Sequence, residues 1–160
     1  MAMMSFNAPG EREKSLWLIR KESNPNHSQW YIDRFKAMEA EGNDMAGESR
    51  LLDAMASRGA KILDAGSGPG RVGKQLHALG HRVTGVDIDP ELIEEARRVC
   101  PEATWITADL VDLPEVLGIA DRVIVMCDGQ ITGEVMARET TQNEILTLAT
   151  RFENKMAAGQ

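Results

Sequence analysis

The sequence contains only two cysteines, Cys100 and Cys127, too few for a disulfide framework and without metal-ligand spacing. Each sits at the edge of an apolar segment, where a buried free thiol is common, so a reducing cytoplasmic setting is expected. Positive charge is also in short supply. Eighteen Lys and Arg against 25 Asp and Glu leave a formal net charge of −7, which argues against a large basic footprint, and no nucleic-acid partner is expected. No apolar run approaches the roughly eighteen residues of a membrane span, and residues 1–10 show no basic stretch leading into an apolar one, so neither membrane insertion nor secretion is expected. His27, His77 and His81 lack partners at metal spacing. They are expected at the surface, and no metal is expected.

What remains is the composition of a soluble globular chain of one-domain size, 160 residues with 42% hydrophobic and 27% charged. The nine methionines carry no functional weight, since three fall within the first four residues. The pattern divides the expected domain into a helical cap (1–59), a core (60–127) and a hairpin plus closing helix (128–160). The cap reads as helices over Glu11–Glu22, His27–Glu41 and Met45–Arg58, separated by Ser23-Asn24-Pro25-Asn26 and Gly42-Asn43-Asp44. From Ala60 short apolar runs alternate with helical windows, the signature of parallel βαβ units. The runs Lys61–Asp64, Arg82–Asp87, Thr104–Ala108 and Arg122–Met126 predict four parallel strands, with helices over Gly70–Leu79 and Pro90–Val99. Asp89 is a candidate N-cap, and Pro90 occupies the first helical position. Cys127-Asp128-Gly129-Gln130 predicts a hairpin turn, followed by a strand over Ile131–Met136 and a helix over Thr140–Met156. The fold class is α/β: a Rossmann-like, doubly wound, mainly parallel sheet with N-terminal capping helices, altered at its C-terminal end.

Between the first strand and its helix lies Asp64-Ala65-Gly66-Ser67-Gly68-Pro69-Gly70. Its glycines remove β-carbons that would hold a ligand away from the backbone. Three nucleotide patterns overlap there. Gly68 to Gly73 fits a dinucleotide fingerprint and Gly68 to Lys74 most of a phosphate loop. The dinucleotide pattern, however, places its first glycine directly after the strand, and that glycine is Gly66. The phosphate loop fails at Gln75, where a hydroxyl should reach magnesium, and at Pro69, which interrupts the donor N–H groups. Asp64 favours a ligand carrying positive charge over a pyrophosphate.

An acid followed by GxGxG, here Asp64, Gly66, Gly68 and Gly70, resembles the first motif of the class I S-adenosylmethionine-dependent methyltransferases. The resemblance continues through Val86-Asp87-Ile88-Asp89 and Ala108-Asp109-Leu110. It implies S-adenosyl-L-methionine as cofactor, held by Asp64, Ala65, Gly66, Gly68 and Gly70. Asp87 would accept both ribose hydroxyls and Ile88 would pack on the adenine. Asp109 would accept from the exocyclic amine and Leu110 would donate its backbone N–H. Singly, such loops and strand-end acids are common in α/β proteins. In order on successive strands they reinforce one another. Trp30, Tyr31 and Arg34 on the capping helix are candidates for the acceptor side, although aromatics at helical spacing are more often packing.

The likeness runs from about Ser5 to Leu113, and Glu11 to Phe35 resembles the leading, cofactor-capping helices of small bacterial methyltransferases. From Pro114-Glu115-Val116-Leu117-Gly118 through Asp121 to Met126, then Gly133-Glu134 and Thr141-Gln142 to Thr150, the chain instead resembles the C-terminal end of a sugar-importer ABC ATPase subunit. That segment lacks the phosphate loop, signature motif and catalytic acid of an ATPase. The resemblance implies a methyltransferase acting on a small-molecule acceptor. Its rivals are a cofactor-binding domain without activity and an ATP-binding module.

Overall fold

The computed structural model describes residues 15–110, 122–127 and 130–149. Its elements run α1 (Leu16–Ser23), α2 (His27–Ala40), α3 (Gly47–Met55), β1 (Lys61–Ala65), α4 (Arg71–Ala78), β2 (Arg82–Asp87), α5 (Pro90–Val99), β3 (Thr104–Thr107), β4 (Arg122–Cys127), β5 (Gln130–Met136) and α6 (Gln142–Ala149). The expectations for residues 1–14, the segment 111–121, the turn residues 128–129 and the stretch 150–160 lie outside the described residues.

β1, β2 and β3 form a parallel sheet in that order, with Asp64 opposite Gly85 and Gly85 opposite Trp105. Strand alternation therefore puts Asp64, Gly85 and Trp105 on one face, and α4 and α5 cover it. Trp105 organises this layer. A β-carbon on Gly85 would stand 2.2 Å from its ring, one on Gly73 2.7 Å and one on Gly70 2.9 Å, so three glycines make room for one indole. Its Nε1 donates to the Cys100 carbonyl at 2.7 Å, which satisfies the one polar atom of the ring. Around it, Ile93, Ala96 and Cys100 form the buried cluster, with Leu76, Val83 and Leu92 also buried. On the opposite face Ile106 is 43% exposed.

Helix α5 forms as its sequence dictates. Asp89 accepts the Glu91 N–H at 2.9 Å, Pro90 opens the first turn, and Arg97 and Arg98 lie in the last. The same Asp89 carboxylate, fully buried, also gathers the cap. It accepts from Trp17 Nε1 at 2.7 Å, Ser28 Oγ at 2.5 Å and Lys21 Nζ at 2.7 Å. Thus α1 and α2 hang on the start of α5. Helix α3 is fixed to α4 by Ser49 Oγ donating to Gln75 Oε1 at 2.6 Å and by Arg71, which reaches Glu48 and the Met45 carbonyl.

Two expectations are corrected. Arg122–Cys127 is not a fourth parallel strand: it pairs antiparallel with β5 in a separate two-stranded sheet, with an irregularity between Val125 and Met126. Only two residues separate the strands, so this pairing closes with little loop entropy, whereas docking beside β1 requires a long connection to be ordered first. The expected Rossmann-like α/β class itself holds, with β1, β2 and β3 parallel and α4 and α5 covering one face among the described residues. His81, expected at the surface, is buried. Its Nε2 lies 2.9 Å from Asp53 Oδ1 where the chain turns from α4 back into β2.

Candidate functional site

Three loops meet at the C-terminal ends of β1, β2 and β3, where open parallel sheets bind ligands. The first turns tightly, with Gly66, Gly68 and Gly70 at φ of 78°, 54° and 79°, values that favour glycine. It is fastened to β2 by the Gly66 and Ser67 N–H groups, which both donate to the Val86 carbonyl at 2.8 and 3.0 Å. The Ala108 N–H donates to the Asp87 carbonyl at 3.0 Å, which draws in the third loop. Among the described residues, a β-carbon on Gly66 would have only the Leu110 side chain nearby, at 3.9 Å, and one on Gly68 only the Tyr31 ring, at 3.7 Å. Gly66 is exposed and Gly68 is buried beneath Tyr31, and neither would bring a β-carbon into a close clash with the described residues. Gly70 has no such room, because a β-carbon there would lie 2.9 Å from both Ala96 and Trp105. The third glycine of the motif serves helix packing and lets α4 begin in a left-handed turn.

The acids occupy different electrostatic settings. Asp87 is buried. Its Oδ2 accepts from the Gly68 N–H and its Oδ1 from the Asp89 N–H, both at 2.9 Å. Burial pushes its carboxyl above the ordinary value, against the pull of those N–H groups. Asp64 turns under the first turn of α4, where its Oδ2 is buried without a hydrogen-bond partner among the described residues and faces the space left by the missing side chain of Gly73. Burial raises it from 3.8 to about 6, with the Gly73 backbone and the Arg71 charge opposing. The Ser67 hydroxyl is likewise buried and unpartnered among the described residues. Asp89 moves the other way. Burial would raise it, but hydrogen bonds from Lys21, Ser28 and Trp17 outweigh that and hold it below its ordinary value. Ile88 is half-buried beside Asp87, and Asp109 and Leu110 are half-buried at the third loop. Ala65, at the tip of β1, is exposed.

Of the three acceptor-side candidates, Tyr31 stands over Gly68, held edge-on between Trp17 at 5.2 Å and Phe35 at 4.9 Å. Burial pushes its phenol up, so the hydroxyl stays protonated at neutral pH. Trp30 turns outward, 52% exposed, stacked on His27 at 5.4 Å with the Arg34 guanidinium 5.8 Å from its ring centroid. Lys74, central to the phosphate-loop pattern, is exposed and lines a cavity of about 270 Å³ between α2, α4 and α5, together with Phe35 and Gln75.

Sequence reasoning recognised Asp89 as a cap but not as the anchor of the cap helices, since Trp17, Lys21 and Ser28 lie more than sixty residues away along the chain. No local signal marked Ser67. The donor set nevertheless suits a nucleoside-bearing cation. It offers the tight glycine turn at Gly66 and Gly68, a strand-end carboxylate at Asp87, an Asp64 carboxyl oxygen buried and unpartnered among the described residues, and the positive end of α4.

Several curated sugar-import ATP-binding proteins match about half of the chain. The ribose import ATP-binding protein of Rubrobacter xylanophilus is 39% identical over 80 residues, and the galactose/methyl galactoside import ATP-binding protein of Photobacterium profundum 54% identical over 82. The chain covers only 16% of either protein's length. Among solved structures, a TehB-like SAM-dependent methyltransferase from Corynebacterium glutamicum is 55% identical, with a TM-score of 0.53, over 54% of this chain and 47% of that one. Among the described residues no helix is long and apolar enough to cross a membrane. The family described as methyltransferase domain matches residues 62–146, more than half of the chain, and with all of β1 but Lys61, its glycine loop and the Asp87 strand end inside that span, this chain belongs to the methyltransferase domain family.

Proposed function

We propose that the chain binds S-adenosyl-L-methionine across the three strand-end loops and transfers its methyl group to a small-molecule acceptor. The observation that carries this reading is the glycine loop held against the strand-end Asp87 carboxylate, with the Gly68 N–H donating to Asp87 Oδ2 at 2.9 Å. When bound, the cofactor supplies an electrophilic methyl on a sulfonium. The residues then have separable tasks. Ala65, Gly66 and Gly68 present backbone to the ligand. Asp87 accepts the two ribose hydroxyls, a bidentate use of a carboxylate. Ile88 packs on the adenine, while Asp109 and the Leu110 N–H read its edge. The α4 N-terminus faces the amino-acid carboxylate, and the Asp64 charge below it favours the cationic groups. Gly70 sets the helix start. Tyr31 closes the site from the cap and shields it from water. Trp30 and Arg34 form the outer rim through which an acceptor passes. The acceleration comes from holding an acceptor lone pair in line and excluding water, so no residue is assigned as a general base.

A second reading is favoured by the departure of β4 from the parallel sheet. In it, residues 114–160 derive from the end of an ABC ATPase subunit, the acceptor site is lost, and the chain binds cofactor without turnover. Calorimetry with S-adenosylhomocysteine, followed by methyl-transfer assays on a panel of small acceptors, separates these. Binding with turnover supports the first reading and binding without turnover the second. A folded chain that binds no S-adenosylhomocysteine overturns both.

A further inference from the structure

The end of the sheet opposite the glycine loop carries a second constellation. The last turn of α4 brings His77, the C-cap of α5 brings Cys100, and the turn before β3 brings Glu102. One ligand atom from each lies within 4.8 Å of the other two. No sequence spacing announces this, because the fold, through the parallel pairing of β1, β2 and β3, returns the ends of α4 and α5 to one edge. None of the three side chains has a hydrogen-bond or ion-pair partner among the described residues.

We infer that His77, Cys100 and Glu102 form a zinc site, in revision of the sequence expectation that the chain holds no metal. The donor set of one sulfur, one nitrogen and one oxygen suits zinc, which accepts thiolate, imidazole and carboxylate in a tetrahedron. Ligand atoms around tetrahedral zinc lie about 3.3–3.8 Å apart, as bonds of about 2.0–2.3 Å require. The observed spread therefore closes by rotation of the exposed Glu102 and half-buried His77 side chains onto the buried Cys100. The thiol proton leaves to solvent on binding, and the resulting thiolate and the carboxylate together neutralise the dication, so little net charge is buried. Beside these ligands lies an open cleft of about 670 Å³ whose lining includes His77, Glu102, Lys61 and Arg82. That cleft gives the ion an entry path and leaves room for a water ligand. The site pins the ends of α4 and α5 to the start of β3, a structural role independent of the loops at the other end of the sheet. It also clips a chain segment of more than twenty residues between His77 and Cys100, which restricts the unfolded chain.

Cobalt substitution tests this on the full chain, freed of metal under reducing conditions. Cobalt(II) is expected to produce a thiolate-to-metal charge-transfer band that saturates at one ion per chain and disappears on adding one equivalent of zinc. Cys100→Ser abolishes the band and Cys127→Ser leaves it unchanged. Because Cys100 is buried and its variant can fail to fold, Glu102→Gln and His77→Gln provide the independent arm: each weakens cobalt affinity at least tenfold while the melting temperature of the metal-free chain stays that of the parent. No band in the parent, a band that survives Cys100→Ser, or affinity unaltered in both Glu102→Gln and His77→Gln overturns the site.

Discussion

Residues 15–110 and the described part of the C-terminal region, 122–127 and 130–149, are built on opposite terms. The first region is a web of distant partners: α1 and α2 converge on Asp89, α3 is tied to α4 through Arg71 and Ser49, and Trp105 nests on glycines from a strand, a loop and a helix. The second is assembled from neighbours in sequence. β4 pairs with β5, the Thr132 hydroxyl donates to the Val125 carbonyl at 3.2 Å, and Leu148 of α6 lies where a β-carbon on Gly133 would strike it at 2.6 Å. A hydrogen bond from Arg122 to the Met55 carbonyl at 2.9 Å joins the two. The contrast teaches where this sheet stops growing: nonlocal parallel pairing ends at the point where the chain offers a strand a partner two residues away.

The sharpest way to break that contrast is Asp89→Ala. It leaves Trp17 Nε1, Ser28 Oγ and the Lys21 ammonium without their buried acceptor and removes the α5 cap. Removing one partner of such a network costs about 3–5 kcal/mol, read by urea denaturation. Hydrogen exchange is expected to show α1 and α2 losing protection while β4 and β5 keep theirs. A loss below about 1 kcal/mol would mean that the two regions are held by similar means after all.

Asp64 supplies the next largest effect, and its sign is opposite to that of Asp89. With a folded value raised from 3.8 to about 6, the folded chain keeps a proton between about pH 4 and 6 that the unfolded chain has released. Stability therefore falls as pH rises through that window, by about 2–3 kcal/mol for a shift of this size. Asp64→Asn is expected to flatten this slope and to stabilise the chain at pH 7 while weakening S-adenosylhomocysteine. That is the trade expected of a group kept for binding. Denaturation at pH 4, 5, 6 and 7 checks it, and an identical slope in Asp64→Asn assigns the titration elsewhere.

Asp87 sharpens the comparison at the proposed binding site. Asp87→Ala is expected to weaken S-adenosylhomocysteine ten- to a hundredfold, about 1.4–2.7 kcal/mol, by calorimetry, whereas Glu134→Ala in the C-terminal region leaves affinity unchanged. Equal effects from the two would place the ligand against both regions and remove the distinction between them.

How much of this was legible in the sequence follows the same division. Strands β1 to β3 and their loops were readable because each is a short apolar run closed by glycine or an acid, a local code. Asp89 was readable as a cap, since Pro90 stands beside it. Its partners Trp17, Lys21 and Ser28 were not, because recognition of a buried carboxylate by donors from two other helices leaves no local pattern. Gly70 looked like a ligand glycine, and only the position of Trp105 shows that it makes room for packing. The β4 run, apolar and β-branched, was equally suited to a parallel or an antiparallel partner. Composition does not decide between them, and the short connection does. His77, Cys100 and Glu102 were invisible as a group, since parallel pairing alone brings them to one edge.

The smallest expected effect examines the joint between the regions. Arg122→Ala removes the donor to the Met55 carbonyl and the 3.3 Å pairing with Glu134, in which both side chains are more than a third exposed. Exposed pairs of this kind contribute little, and a neutral carbonyl in contact with water regains a hydrogen bond, so the loss is expected at about 0.5–1 kcal/mol. S-adenosylhomocysteine affinity should not change. A single unfolding transition that moves slightly to lower denaturant, with the same slope, fits a tail attached lightly to an otherwise self-sufficient region. Two separate transitions in Arg122→Ala would show that this contact alone couples the regions. A loss above about 2 kcal/mol accompanied by weaker ligand binding would show instead that the β4–β5 unit completes the core, and that its separation from the parallel sheet is one of hydrogen-bond pattern and not of energetics.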